Sequence, residues 1–493
     1  MKARFKTSVM LIENIKSIRM KRNMTYKVLL LLITFFSLFN CSKDEFVPGD
    51  LEVNDFVWTG LNAYYRWQGE ISDLSDRRFS TREQLNTYLA GFDEPNTIFQ
   101  SLLYRPIDID SVSTLHEDFN ILEEQLKGVI LTTGMEFEIV NFRDNSENVF
   151  AFVSYVHPNS SASRNGVTRG MIFTAVNDTP LTRANYRGLL LNNPTGYSIT
   201  LADNYNNGNP MITPASPTTT PAVIDLVAET ISPDPVAINK TFTEGTTKIG
   251  YLLYNEFNNE FLNELNIAFA NFRTEAIDEL IVDLRYTSNG SIEAVNILAS
   301  LIAGQLKGEV LASEVWNNKV NTNRSTQLLE TLITDILPNR NPLNALNLTK
   351  VYFLTSNKTA SASEVLINGL ASHIDVHTIG ENTKGVYNAF SVLYDSENYK
   401  KFEINPSHNY ALLPNVATVL NKDAINSRIT ASQTLAEDYG NLGELGERTD
   451  PILDFAIDNI INSTTSDVPS EFRRHGNSKE NYVTNEVLLT PLK

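Results

Sequence analysis

The chain has 493 residues, 42% hydrophobic and 20% charged, an ordinary globular balance with room for two or three domains and a large core. Its formal net charge is −18, and an acidic surface repels nucleic acid, which excludes DNA and RNA as partners. A single cysteine rules out a fold built on intrachain disulfides.

Lys21, Arg22 and Lys27 precede the apolar run Val28 to Phe39, then Asn40 and Cys41. A basic stretch and a twelve-residue apolar segment read as a secretory signal peptide over 1–40. That segment is too short for a stable transmembrane helix, and no later span is long and apolar enough. Leu38, three before Cys41, resembles the lipobox of bacterial lipoproteins, with Asn40 atypical. The expectation is lipidation at Cys41 and anchoring in the cell envelope, at the outer membrane, on its periplasmic or surface face. An ordinary signal followed by a chance cysteine is the plainer alternative, and Met24 serves equally as a start. Loss of 1–40 leaves 32 basic and 57 acidic residues, a net charge of −25.

Residues 41–55 read as a polar tether. A helical pattern with Phe56, Leu61, Tyr64 and Trp67 follows, with Asp55 as its cap, and Ser80-Thr-Arg-Glu83 reads as a capping box. Residues 56–106 thus form a helical domain. Over 107–205, Val149 to Val156 and Met171 to Val176 read as strands flanking a loop with a short helix. Asn177-Asp178 is a turn. Residues 206–246 are a Pro-rich linker with a strand from Ala222 to Ile231.

From residue 247 the pattern alternates. Lys248 to Tyr254 and Glu279 to Arg285 are continuous apolar strands around a helix from about Asn259 to Arg273, which implies a buried, mostly parallel sheet. Tyr286-Thr-Ser-Asn-Gly290 turns into a helix over Ile292 to Ala303. An edge strand over Glu309 to Trp316 and a helix over Gln327 to Ile336 follow. Val351 to Leu354 is a buried strand that turns through Thr355-Ser-Asn-Lys358 into TASASE, residues 359–364, and then a helix. Ser361 stands where strand becomes helix, and helix N-terminal N–H groups stabilise a developing oxyanion. Read locally, Ser361 and Ser363 are equally well helix-capping serines. Val376 to Ile379 leads to Gly380-Glu-Asn-Thr-Lys-Gly385. Ala389 to Leu393 and Lys401 to Ile404 read as a hairpin. Asp450 to Ile460 is a closing helix, and the polar tail 463–493 is expected to be loosely held.

TASASE, followed after a helix by GE-x-T-x-G, resembles the tail-specific or carboxyl-terminal processing serine peptidases. DLRYTSNG resembles the DLR-x-N-x-G-G loop of that family, and the two lie in the right order, 71 residues apart from Gly290 to Ser361. The resemblance implies a mixed α/β fold: a helical N-terminal domain, a PDZ-like domain over 107–205, and an α/β peptidase domain over 247–462. It implies Ser361 as nucleophile, with the N–H groups of Ala362 and Gly290 as the oxyanion hole. The family lysine that follows GE-x-T-x-G falls on Val386 here. Lys384, two residues earlier and on the same face of an extended strand, becomes the candidate base. The PDZ resemblance implies docking of a peptide carboxylate on the loop Thr133 to Phe137, by Gly134, Met135, Glu136 and Phe137. The family has a second glycine where Glu136 stands, and an acid there would repel the carboxylate.

The expected function is an envelope lipoprotein serine endopeptidase acting on proteins or peptides. The alternative is a non-catalytic peptide-binding lipoprotein that has lost the base. No cofactor is expected. His373 and His377 form no HExxH pattern, so no metal is expected either.

Overall fold

The structure is a computed structural model. It describes residues 47–142, 146–202, 204–206, 209–211, 222–323, 329–462, 467–468, 474–479 and 487–489. The signal segment and Cys41 lie outside the described residues.

The chain divides into two compact units. The first joins the described residues up to Asp55 with Phe79–Asp93. Its short helix Arg82–Leu89 is capped by Thr81, whose hydroxyl accepts from the Gln84 N–H at 3.3 Å, one residue on from the expected box. Asp55 is not a cap: it lies inside the helix Glu52–Tyr64 and pairs with Arg82 at 2.6 Å.

The second unit holds Phe56–Arg78 and everything from Glu94 on. Its centre is a sheet in the order Val236–Glu244, Thr247–Tyr254, Glu279–Asp283, Lys350–Thr355, Asp375–Gly380, Gln433–Leu435, Asp467–Val468. Only the first pairing is antiparallel. The strands are apolar on both faces because each face meets its own core. Leu252, Tyr254, Val282, Val351 and Phe353 pack with the helices Leu262–Glu275, Ile292–Ile302 and Ala362–Ala371. Their neighbours Tyr251, Leu253, Ile281, Tyr352 and Leu354 pack with the closing helix Pro451–Asn462. Side chains alternate along a strand, so a run hydrophobic at every position is what a sheet covered on both sides requires.

A second sheet is antiparallel throughout: Val223–Val227, Gly196–Leu201, Ile172–Val176, Val149–Val156, Met135–Asn141 and Arg474–Asn477. The turn at Asn177 and Asp178 takes φ of 46° and 60° at its two central residues, the geometry of a tight hairpin. A third sheet runs Gly290–Ser291, Val487–Leu488, Asn388–Phe390, Asn415–Leu420, Val310–Trp316, Glu330–Leu332.

Four expectations are corrected here. Val310–Trp316 is not an edge, since it lies between Asn415–Leu420 and Glu330–Leu332. Within the stretch expected to be helical from Gln327, residues Glu330–Leu332 are a strand. Leu393–Tyr394 pairs with Ala411–Leu413 instead of forming a hairpin with Lys401 to Ile404. The tail is not loose where it is described, because it contributes a strand to each of the three sheets.

Candidate active site

The Lys350–Thr355 strand ends in a turn that enters the helix Ala362–Ala371 at Ser361. Ser361 takes φ 53° and ψ −111°, outside the regions open to ordinary L residues. Such a backbone costs on the order of 1–3 kcal/mol and persists only where its surroundings over-determine it. Here they do. Thr359 Oγ1 donates to Leu284 O at 2.8 Å, and Ala360 N–H to Thr287 O at 3.4 Å. Ser363 Oγ donates to the same Thr287 carbonyl at 3.0 Å, and Ser356 Oγ to Arg285 O. The loop from Leu284 towards Gly290 and the turn at Ser361 are therefore stitched together. Ser363, the second candidate serine, is engaged in that stitching.

Ser361 has 0% of its surface exposed; it forms a capping box with Glu364 across the start of the helix, yet its Oγ meets no partner at good hydrogen-bond geometry among the described residues. A buried hydroxyl with no partner is rare in folded proteins. Ala362 follows as the first residue of the helix, and the first N–H groups of a helix lack intrahelical acceptors.

Glu364, also fully buried, organises what faces Ser361. Its carboxylate accepts from Ser361 N–H at 2.9 Å, Gly385 N–H at 2.8 Å and Val386 N–H at 2.8 Å. It also accepts from the hydroxyls of Thr383 and Tyr387. Burial and then this carboxylate push the Tyr387 phenol upward. Lys384 N–H bonds Thr359 O at 2.9 Å. The segment 383–387 is thus pinned by its backbone beside the turn at Ser361. Val386 is half-buried there, while the Lys384 side chain is exposed. Lys384 lines a cavity of about 430 Å³ with Lys358, Arg428, Lys479, Tyr286 and Ser288.

Gly290 sits in a two-residue strand beside Val487 and bridges to Phe257. Its φ is 134°, and a Cβ there would lie 2.3 Å from Phe257 O, so only glycine fits. A separate cavity of about 500 Å³ is lined by Gly290 and Ser291 and by Thr133, Met135, Glu136 and Phe137. One hollow therefore spans the expected peptide loop and the expected oxyanion glycine. Ser361 lines neither cavity.

Gly134 precedes the Met135–Asn141 strand with φ 85°, and a Cβ there would strike Ser160 at 2.0 Å. Its N–H is taken by Thr132 Oγ1 at 3.0 Å. Met135 pairs with Val156, and Phe137 lies buried in the core of that sheet. Glu136 is buried, bonded to His157 at 3.1 Å and to Lys479 at 3.2 Å. Burial opposes its charge, but the Lys479 ammonium and the His157 ring hold its carboxyl down to about 2. The acid expected to repel a carboxylate is thus neutralised from the tail.

His373 bonds Val310 O at 2.9 Å, and His377 bonds Asp375 at 3.0 Å. No cluster of three or more metal-ligating side chains occurs among the described residues. Sequence reasoning missed Glu364 as the anchor of the 383–387 loop. The signal was present in the spacing: an acid three residues into a helix returns to the N-terminus.

Among known proteins, the family model of peptidase family S41 matches residues 248–401, and that of the S41 N-terminal domain matches residues 52–113. No curated protein sequence matches the chain. A Bacteroides fragilis structure assigned to the S41 proteases is 20% identical, covering 83% of this chain and 97% of that one, with a TM-score of 0.61. At that identity the fold is what is shared. The photosystem II D1 C-terminal processing protease is 17% identical, covering 80% of this chain and 95% of that one, with a TM-score of 0.46. The matched N-terminal and peptidase segments are those of peptidase family S41.

Proposed function

We propose that this protein is a lipid-anchored envelope serine endopeptidase that cleaves extended polypeptides. The observation that carries the reading is the strained conformation of Ser361, held by the 284–290 loop, with a buried Oγ that makes no hydrogen bond of good geometry among the described residues. In this reading Ser361 Oγ attacks the scissile carbonyl carbon, forming a C–O bond as its proton passes to a neutral Lys384 amine. The oxyanion rests on the N–H groups of Ala362 and Gly290. Collapse breaks the C–N bond, Lys384 returns the proton to the leaving amine, and water repeats the sequence to release the acyl group. The backbone bond from Lys384 to Thr359 supports this base, since it fixes the root of a long side chain two residues from the nucleophile. Hydrogen bonds of a catalytic base commonly tighten only once substrate is bound. The hollow shared by Thr133, Met135, Glu136, Phe137 and Gly290 supports docking of the substrate in extended form across the PDZ-like sheet. The signal-like start and Cys41 support the anchor.

A second reading, a peptide-binding lipoprotein without activity, is favoured by one observation. Val386 occupies the family lysine position, and Lys384 opens onto a cavity that Ser361 does not line. A fluorophosphonate probe separates the two. Labelling of the native chain that disappears in Ser361→Ala supports the peptidase. No labelling, with peptide binding retained, leaves the binder.

A further inference from the structure

The tail crosses the route a substrate would take. Arg474–Asn477 adds an antiparallel strand to the free edge of Met135–Asn141, pairing Gly476 with Ile139 and Asn477 with Glu138. Ser478 continues the ladder: its N–H donates to Phe137 O at 3.1 Å, and its Oγ accepts from Phe137 N–H at 3.2 Å. Lys479 Nζ reaches Tyr286 O at 2.9 Å and Glu136 at 3.2 Å. Further on, Val487–Leu488 lies parallel between Gly290–Ser291 and Asn388–Phe390. Leu489 donates to Phe390 O at 2.8 Å and is buried in the same core as Ala362 and Val365.

These contacts have the chemistry of a peptide laid on a sheet edge: main-chain bonds, one ion pair and one apolar anchor. Residues Gly476 to Lys479 are only half-buried and contribute no apolar side chain. A strand of this kind is held weakly and can be exchanged for another. Its position matters as well. Ser478 and Lys479 line both cavities, the one that contains Gly290 and the one that contains Lys384. The tail is thus a wall between the two compartments that the proposed chemistry needs to be one.

We propose that the C-terminal segment, through residues 474–479 and 487–489, is an intramolecular occupant of the polypeptide track. It blocks the site until an extended substrate displaces it. The inference rests on the substrate track of the proposed function and not on catalysis itself.

The test uses the full chain. Ser478→Pro removes both ladder bonds to Phe137, and Lys479→Glu places like charge against Glu136. A fluorescein-labelled peptide with the native sequence of residues 474–489 is titrated into native and doubly substituted protein. The substituted chain is expected to bind it at least about tenfold more tightly, and Lys479→Ala alone to fall between. Amide exchange at Phe137 and Ile139 is expected to quicken in the variant and to slow again on adding peptide. Ser361→Ala in both backgrounds leaves the difference intact, so a failed peptidase reading does not hide the result. Equal affinity in native and substituted chains overturns the proposal, as does unchanged exchange at Phe137.

Discussion

Ser361 holds its unusual backbone against a standing cost, and Val386 decides whether that cost serves chemistry. Val386 N–H lies 2.8 Å from the Glu364 oxygen that also takes Ser361 N–H. A side chain at 386 therefore starts beside the turn at Ser361, whereas the exposed Lys384 side chain opens onto the cavity that Ser361 does not line. An amine placed at 386 would rise from backbone that shares a Glu364 oxygen with Ser361. Val386→Lys is expected to raise the rate of fluorophosphonate labelling at least about tenfold, within the range general-base assistance supplies. Lys384→Ala in the native chain is expected to lower it. If Val386→Lys labels no faster than the native chain while remaining folded, Lys384 is already sufficient or the chain is no peptidase. Peptide hydrolysis by the native chain then distinguishes those outcomes. Ser361→Gly makes the complementary case. Glycine visits positive φ without penalty, and the buried unpaired hydroxyl is gone, so this variant is expected to be more stable by roughly 1–2 kcal/mol and unlabelled. A melting temperature at or below that of the native chain would contradict the strain at this position.

The elements that build the site differ in how plainly the sequence announces them. The central strands were legible because both faces are buried, and runs such as Tyr-Leu-Leu-Tyr and Leu-Ile-Val leave few other solutions. The motif around Ser361 was legible from its small residues at a strand-to-helix junction. The strand Arg474–Asn477 was not, because a polar segment that pairs through its backbone carries no hydrophobic period. Glu330–Leu332 was read as helix for a related reason: three residues on an edge are too few for a period of two to emerge. The loop Thr133 to Phe137 shows its glycine in the sequence, but not that Glu136 is turned inward and paired with a lysine 343 positions later. The Gly380 to Gly385 run was legible as a motif, yet its anchor lay in another element. Glu364 belongs to the helix Ala362–Ala371 and accepts from five groups, four of them on residues 383–387. Glu364→Ala leaves those donors without acceptors in a buried site, at about 1–3 kcal/mol for each one that finds no water. The expected result is a loss of at least about 3 kcal/mol in urea unfolding, together with proteolytic nicking between Asn382 and Asn388. A stable variant with an intact loop would mean that the Thr359 and Ile429 backbone bonds suffice to hold it.

Across the second unit as a whole, one buried ion network joins parts that are far apart in sequence. Arg285, fully enclosed, meets Asp283 at 2.6 Å, Asp450 at 2.6 Å and Glu437 at 3.3 Å. Glu437 also takes Arg169 at 2.9 Å, from the chain that leads into the second sheet. Tyr251 OH donates to Asp283 at 2.7 Å. The residues Asp283-Leu284-Arg285 carry the family resemblance, and their physical role is to tie the start of the Gly290 loop to the closing helix and to the second sheet. Burial favours the neutral form of Arg285, and the carboxylates of Asp283 and Asp450 outweigh it, which holds the guanidinium well above its ordinary range. Removing one partner from such a site costs more than the pair contributes, because the remaining charges stay buried without compensation. Arg285→Leu is therefore expected to destabilise by about 3–5 kcal/mol, read as a shift of the urea midpoint. Asp450→Asn, which leaves Arg285 its bonds to Asp283 and Glu437, is expected to lose less. The backbone carbonyl of Arg285 accepts from Ser356, so the damage does not stop at stability. Fluorophosphonate labelling of Ser361 in Arg285→Leu is expected to fall under conditions where the variant is still folded. A loss below about 1 kcal/mol with labelling unchanged would mean that water enters the network, and that the two sheets and the turn at Ser361 keep their arrangement without it.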